Sequence, residues 1–338
     1  MDKLLDEAIV EFGKTQPASA PRFNAASDIL FQGDTQKWIR LCYSIKARQY
    51  NHLTKKSSYN PMRVLDAIDR GIRTNTDDAQ VAFSSVQQAQ TNFFGFQRAN
   101  FNTRTYGRFF INMLNGTTLG ARDPRYVLIA PDTARSVGAI NGAGTTGILS
   151  QGASDFYGRY ATPTPPVANT APVAEGWYTR LVGVQMLVTN AEMRFIEAEA
   201  AFRANNRDRA LMAYTAGITA HCDKLGVTAA DRTAYLQSPA VVRSAAALTL
   251  ADIMRQKYIA MFLNPEAWVD MRRYDYSTDV YRGFMPPANV NPQLMGRFPR
   301  RFLPGTQELL YNRNNAYAEL GVLSDPDWIA SPMWWDKP

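Results

Sequence analysis

Amphipathic helices with clear start and stop signals follow one another in pairs, and this restricts the chain to a mostly helical fold. From Asp34 to Lys56 the residues Trp38, Leu41, Cys42, Ile45 and Leu53 recur at helical spacing, and Asp34 is placed to cap the first turn. Asn60 and Pro61 open a second stripe of Met62, Leu65, Ile68 and Ile72, because asparagine caps a helix and proline suits its first position. The short KKSSY linker makes the two an antiparallel hairpin. A second hairpin repeats the logic. Thr189 and Glu192 have capping-box spacing ahead of NAEMRFIEAEAAFRA. After NNRD, Leu211, Tyr214, Ile218, Cys222 and Leu225 line one face as far as Gly226, placed as a C′ glycine. Thr249 and Asp252, a weaker capping pair, precede Leu250, Ile253, Met254, Tyr258, Met261 and Phe262, and Asn264-Pro265 breaks that helix before EAWVDMRRY.

A helix with one apolar stripe must bury it against a neighbour, so these pairs resemble tetratricopeptide-type hairpins. No signature recurs at a fixed spacing, so the chain reads as a helical scaffold with insertions and not as a regular solenoid. Residues 1–90 and 189–338 carry the scaffold, the latter with a carboxy-terminal tail, and residues 91–188 form a loop-rich insertion. There Gly, Asn, Thr and Pro become frequent, helical periodicity fades, and only YVLIA (126–130) and LVGVQMLV (181–188) read as strands. Disordered segments are poor in aromatics. This one holds Phe93, Phe94, Phe96, Phe101, Tyr106, Phe156, Tyr157, Tyr160, Trp177 and Tyr178, so most of it is expected to be ordered.

Several kinds of chemistry find no support. Gly142, Gly144 and Gly147 match the G-x-G-x-x-G string, but no helix follows and no acidic residue stands at the ribose spacing, so they read as a flexible loop. His52 and His221 are the only histidines, and neither has a metal-ligand or nucleophile partner at useful spacing; both read as packed or surface residues. Cys42 and Cys222 fall on apolar helix faces and read as small hydrophobes, with no cofactor or metal implied. Glu192, Glu197 and Glu199 read as the surface and caps of a helix. The 37 Lys and Arg against 30 Asp and Glu give +7, but no run of five basic residues occurs, so nucleic acid is not an expected partner. Residues 1–16 are acidic and amphipathic, unlike a signal peptide, and no apolar run reaches the length of a membrane span.

The loop aromatics carry the binding expectation. Tyr, Trp and Phe offer flat apolar faces, and Tyr and Trp add a polar edge, which suits sugar rings or peptide side chains in a groove. Trp177, Tyr178, Tyr157, Tyr160, Phe156 and Tyr106 are the candidate ligand-binding residues, against the alternative that they plug the loops onto the helices.

Five strings, in order, resemble the SusD/RagB family of nutrient-binding lipoproteins. They are GDTQKWIRLCYSIKARQYNHL (33–53), DPRY (123–126), NAEMRFIEAEAAFR (190–203), QKYIAMFLNPEAWVDMRRYDYS (256–277) and PRRFLPGTQELLYNRNNA (299–316). All are caps, core stripes and helix ends, so they point to a scaffold and not to a site. In the stretch from Leu248 to Ser277, which holds the longest of them, Met254 and Phe262 are expected to pack, Trp268 to anchor the next helix, and Arg272 and Arg273 to bind carboxylates or helix ends inside the fold. The resemblance implies tetratricopeptide-like helical hairpins with a loop-rich ligand face bearing short strands. It also implies a non-catalytic lipoprotein on the outer face of the outer membrane, which hands glycans or peptides to a TonB-dependent β-barrel transporter of the SusC type. LDEAIVEF resembles an interior helix of that plan, so the chain is expected to be an amino-terminally truncated form without the lipid anchor that ties the family to the membrane. Two other readings compete: a cytosolic helical-repeat scaffold that binds proteins, from the hairpins, and a carbohydrate-active enzyme, from the aromatics alone.

Overall fold

A computed structural model describes residues 1–15, 17, 19, 23–24, 26–84, 91–96, 105–133, 138–139, 155–159, 172–287, 289–320 and 326–338. The Gly142–Gly147 string and Tyr160 lie outside these residues. Among them run fourteen α-helices: α1 Asp2–Phe12, α2 Thr35–His52, α3 Pro61–Arg70, α4 Phe93–Phe96, α5 Arg108–Leu114, α6 Tyr126–Ile129, α7 Asn190–Arg203, α8 Arg207–Leu225, α9 Ala229–Leu236, α10 Leu250–Ala260, α11 Glu266–Arg273, α12 Thr306–Tyr311, α13 Arg313–Leu320 and α14 Pro326–Ala330. Four short strands, β1 Ala79–Ala82, β2 Gly158–Arg159, β3 Ala174–Glu175 and β4 Val184–Val188, make two antiparallel pairs, β1 with β4 and β2 with β3.

The helix signals operate as expected. Asp34 accepts from the amides of Gln36 and Lys37, and Asn60 from that of Met62 ahead of Pro61. Gly226 closes α8 in the left-handed region at φ +86°, with its own amide and that of Val227 on the Cys222 carbonyl. The two capping boxes change rank. Thr249 and Asp252 exchange both bonds, whereas Thr189 caps α7 alone because the Glu192 carboxylate is drawn across the fold to Arg48.

Helix α7 is the centre of the scaffold, packing on α8, α3, α10 and α2. Its partner α8 comes close because Gly217 sits against the Phe195 ring; a Cβ there would lie 2.9 Å from ring carbons. Gly217→Ala is therefore expected to cost about 1–3 kcal/mol by overpacking, read as a lower urea midpoint with an unchanged slope.

Three readings need correction. YVLIA is not a strand: Tyr126–Ile129 forms the single helical turn α6, with Tyr126 and Ile129 buried. A short apolar run lacks the length that separates a strand from a buried helical turn. RFFINML (108–114), in the stretch read as irregular, is helix α5 with Phe109, Phe110, Ile111, Met113 and Leu114 buried. Glu192 and Glu199 are not a helix surface, being 1% and 0% exposed, and Glu197 is also buried. Each is held by an arginine: Arg48 pairs with Glu192, Arg194 and Arg209 with Glu197, and Arg273 with Glu199.

Candidate ligand pocket on the loop layer

Two buried polar clusters fasten the loops and the helices together. In the first, Arg125 of α6's DPRY string is wholly enclosed and forks onto Asp123, with Nε donating to Oδ1 at 2.9 Å. Its other nitrogens donate to Gln256 of α10 at 2.6 Å and to His221 Nδ1 of α8 at 3.0 Å. Arginine cannot accept, so the neutral imidazole carries its proton on Nε2 and donates to the Tyr178 hydroxyl, 2.7 Å away. Burial and the adjacent Arg125 charge hold the His221 pKa well below the usual histidine range. In the second cluster Arg273, also enclosed, donates to both oxygens of Glu199 at 2.8 and 2.9 Å and to Asp270 at 2.6 Å. Burial alone would raise the Glu199 carboxyl; the Arg273 charge and hydrogen bonds outweigh it and hold the group well below the usual carboxylate range.

The expected arginine roles follow in part from these contacts. Arg273 binds carboxylates, whereas Arg272 donates to the Arg300 carbonyl at 2.9 Å and lies over the Trp268 ring at 3.8 Å. Trp268 in turn donates to the Tyr276 hydroxyl at 2.7 Å, which anchors α11 to the segment after it.

The five candidate aromatics among the described residues lie in one connected layer, but most are enclosed. Tyr157 is fully buried, and Tyr106, Phe156 and Tyr178 are no more than 6% exposed. Tyr106 donates to the Ile129 carbonyl at 2.7 Å, and Tyr178 is tied to His221, so both hydroxyls serve the fold. Trp177 is half-buried, edge-on to Tyr178 with centroids 4.9 Å apart. Phe262 joins the layer to α10, stacked on Phe110 at 4.5 Å and touching Tyr106 and Tyr178.

A cavity of about 260 Å³ opens beside Phe262, walled by Tyr106, Phe109, Phe110, Phe156, Tyr258 and Phe284. That volume is just below the usual range for small-molecule sites, about 300–1,000 Å³, and leaves room for one sugar ring or one large side chain. Two of the sequence candidates, Tyr106 and Phe156, reach its wall. Phe262 is part of that wall and not simply a packed core residue.

The sequence reading missed the other wall residues. Phe109 and Phe110 belong to the unrecognised α5, and Tyr258 sits on a stripe that reads as core. The signal available was the Asn264-Pro265 break. It ends α10 at the cavity and leaves Leu263 in the left-handed region at φ +59°, an unusual place for a bulky residue.

Polar groups on this wall are few. Asn264 Oδ1 accepts from the Glu266 amide at 3.0 Å. Burial raises the Tyr258 phenol to about 12, so its hydroxyl stays protonated, and among the described residues it has no hydrogen-bond partner. No carboxylate among the described residues lines this cavity. Among the described residues no group of three or more His, Cys, Asp or Glu side chains could hold a metal ion, and no helix is long and apolar enough to cross a membrane.

Capped helical hairpins carrying an aromatic, loop-built layer define a mostly helical scaffold of the SusD-like class. A family profile described as "Starch-binding associating with outer membrane" matches residues 1–301, and the chain belongs to the SusD/RagB family. Among solved structures, a chitin-binding SusD homolog from Flavobacterium johnsoniae superposes with a TM-score of 0.74 at 21% identity, over 99% of this chain and 71% of its own. A SusD/RagB family protein from Bacteroides thetaiotaomicron gives 0.64 at 22%, over 99% and 71%. A SusD homolog from Bacteroides uniformis gives 0.66 at 20%, over 100% and 72%. At these identities the likeness is one of fold. No curated protein sequence matches the chain.

Proposed function

We propose that this protein binds a glycan at the bacterial cell surface without altering it and delivers it to a TonB-dependent outer-membrane transporter. Family membership over residues 1–301 carries the reading, since the family is described as starch-binding and associated with the outer membrane. A relative named as chitin-binding supports the same ligand class. The aromatic cavity, with the Tyr258 hydroxyl and no carboxylate among its described lining residues, suits holding a sugar better than cleaving one. Trp177 and the walls contributed by Tyr106 and Phe156 are the proposed contacts; Tyr157 and Tyr178 support them from behind.

Tyr258→Phe is the direct test, because the hydroxyl it removes has no partner among the described residues. Titration with chito- and malto-oligosaccharides is expected to show binding about three- to tenfold weaker than wild type, with thermal stability kept, as the loss of one neutral hydrogen bond implies. Unchanged affinity for a glycan that does bind would remove the cavity from the account.

A further inference from the structure

Resting on the glycan-binding reading, we propose that Arg180, laid over Trp177, recognises a carboxylate on the bound glycan, so that the ligand is an acidic, uronate-bearing polysaccharide. The guanidinium carbon sits 4.7 Å from the centre of the indole. One face of Trp177 is thus occupied by a cation.

That cation keeps an unpaired donor. Its Nε is buried without a hydrogen-bond partner, and among the described residues no carboxylate pairs with the group. Burial lowers its pKa from the usual arginine value, and the charge of Glu175 opposes that shift only in part. Arg48, Arg125, Arg194 and Arg273 are each paired with a carboxylate, and Arg272, which also lies over a tryptophan without a carboxylate partner among the described residues, donates to the Arg300 carbonyl. A guanidinium with no anion of its own has donors left for a ligand carboxylate.

The local backbone holds the side chain in place. Asn92 Nδ2 donates to the carbonyls of Tyr178 and Arg180 at 2.7 and 3.1 Å, and the Asn92 amide donates to Leu181. Gly183 leaves the space in which the arginine stem lies, since a Cβ there would stand 3.1 Å from Arg180 Cγ and 3.2 Å from Nε. A fork fixed in this way can meet a planar carboxylate in two hydrogen bonds without losing further side-chain freedom.

The test compares four probes on the whole chain by titration calorimetry: penta-galacturonate, its fully methyl-esterified form, chitopentaose and a penta-glutamate peptide. Arg180→Met keeps the stem, and Arg180→Lys keeps the charge without the fork; circular dichroism and melting confirm that both fold. Wild type is expected to bind penta-galacturonate at least about tenfold more tightly than the neutral ester, with the preference abolished in Arg180→Met and only partly kept in Arg180→Lys. Equal binding of acid and ester, or an Arg180→Met variant with wild-type preference, would overturn the proposal. So would Arg180-dependent binding confined to a penta-glutamate peptide. If chitopentaose binds independently of Arg180 and galacturonate does not bind, this inference falls while the glycan-binding reading stands; if no glycan binds, both fall.

Discussion

Arg273→Met is expected to lower the unfolding free energy by about 3–5 kcal/mol, the usual cost of removing one partner from a buried ion pair. Arg273 is the cation between Glu199 and Asp270, and it also donates to Thr54 at 2.9 Å and the Asn51 carbonyl at 3.2 Å. Without it Glu199 is a buried carboxylate left with the amide of Asn51, the Tyr274 hydroxyl and partly exposed Arg203. The size of the effect comes from that leftover charge more than from the lost bonds. Arg273→Met with Glu199→Gln should therefore recover part of the loss, because the second change removes the uncompensated charge. Urea unfolding followed by near-ultraviolet circular dichroism measures both; a single-variant loss below about 1 kcal/mol would place the cluster outside the cooperative core.

Mild acid should weaken the fold through His221 before the carboxylates titrate. Its folded-state pKa is depressed, so below about pH 6.5 the unfolded chain takes up a proton that the buried imidazole beside Arg125 refuses. The stability it contributes is complete above that pH and is lost as the pH falls, at a slope of at most about 1.4 kcal/mol per pH unit. His221→Gln can still accept from Arg125 and donate to Tyr178 but cannot charge, so its stability should be nearly flat between pH 6.5 and 5. A wild-type protein equally flat over that window would mean that His221 protonates within the fold.

The scaffold was legible because its signals are local. Asp34, Asn60, Thr189, Thr249 and Gly226 act within four residues of themselves, and the stripes they bound need only a neighbour to bury against. What escaped was non-local. Glu192, Glu197 and Glu199 stand at ordinary surface spacing on α7, and Arg48 and Arg273, which draw Glu192 and Glu199 inward, lie 144 and 74 residues away. Helix α5 and the turn α6 were lost because seven and four apolar-rich residues carry too little periodicity to separate helix from strand. At the pocket, aromatic content marked the right layer but could not say which ring faces a cavity. That depends on Tyr258 of α10 and Phe262 just after it, far along the chain from Tyr106 and Phe156.

The strings that carry the family resemblance converge on the two buried clusters: DPRY supplies Asp123 and Arg125, the α7 string Glu199, and the α10–α11 string Gln256, Asp270 and Arg273. These strings thus pin loops to helices, while Tyr106, Phe156, Trp177 and Arg180 lie outside them and Tyr258 lies within the α10–α11 string.

Titration of the whole chain with a panel of neutral and acidic oligosaccharides, with recovered ligand analysed for chain length, tests the central claim most directly. The account expects at least one glycan to bind saturably and to be recovered intact, with Trp177→Ala weakening that binding about tenfold while the fold persists. Absence of binding across the panel, or shortened glycan with new reducing ends, would contradict it.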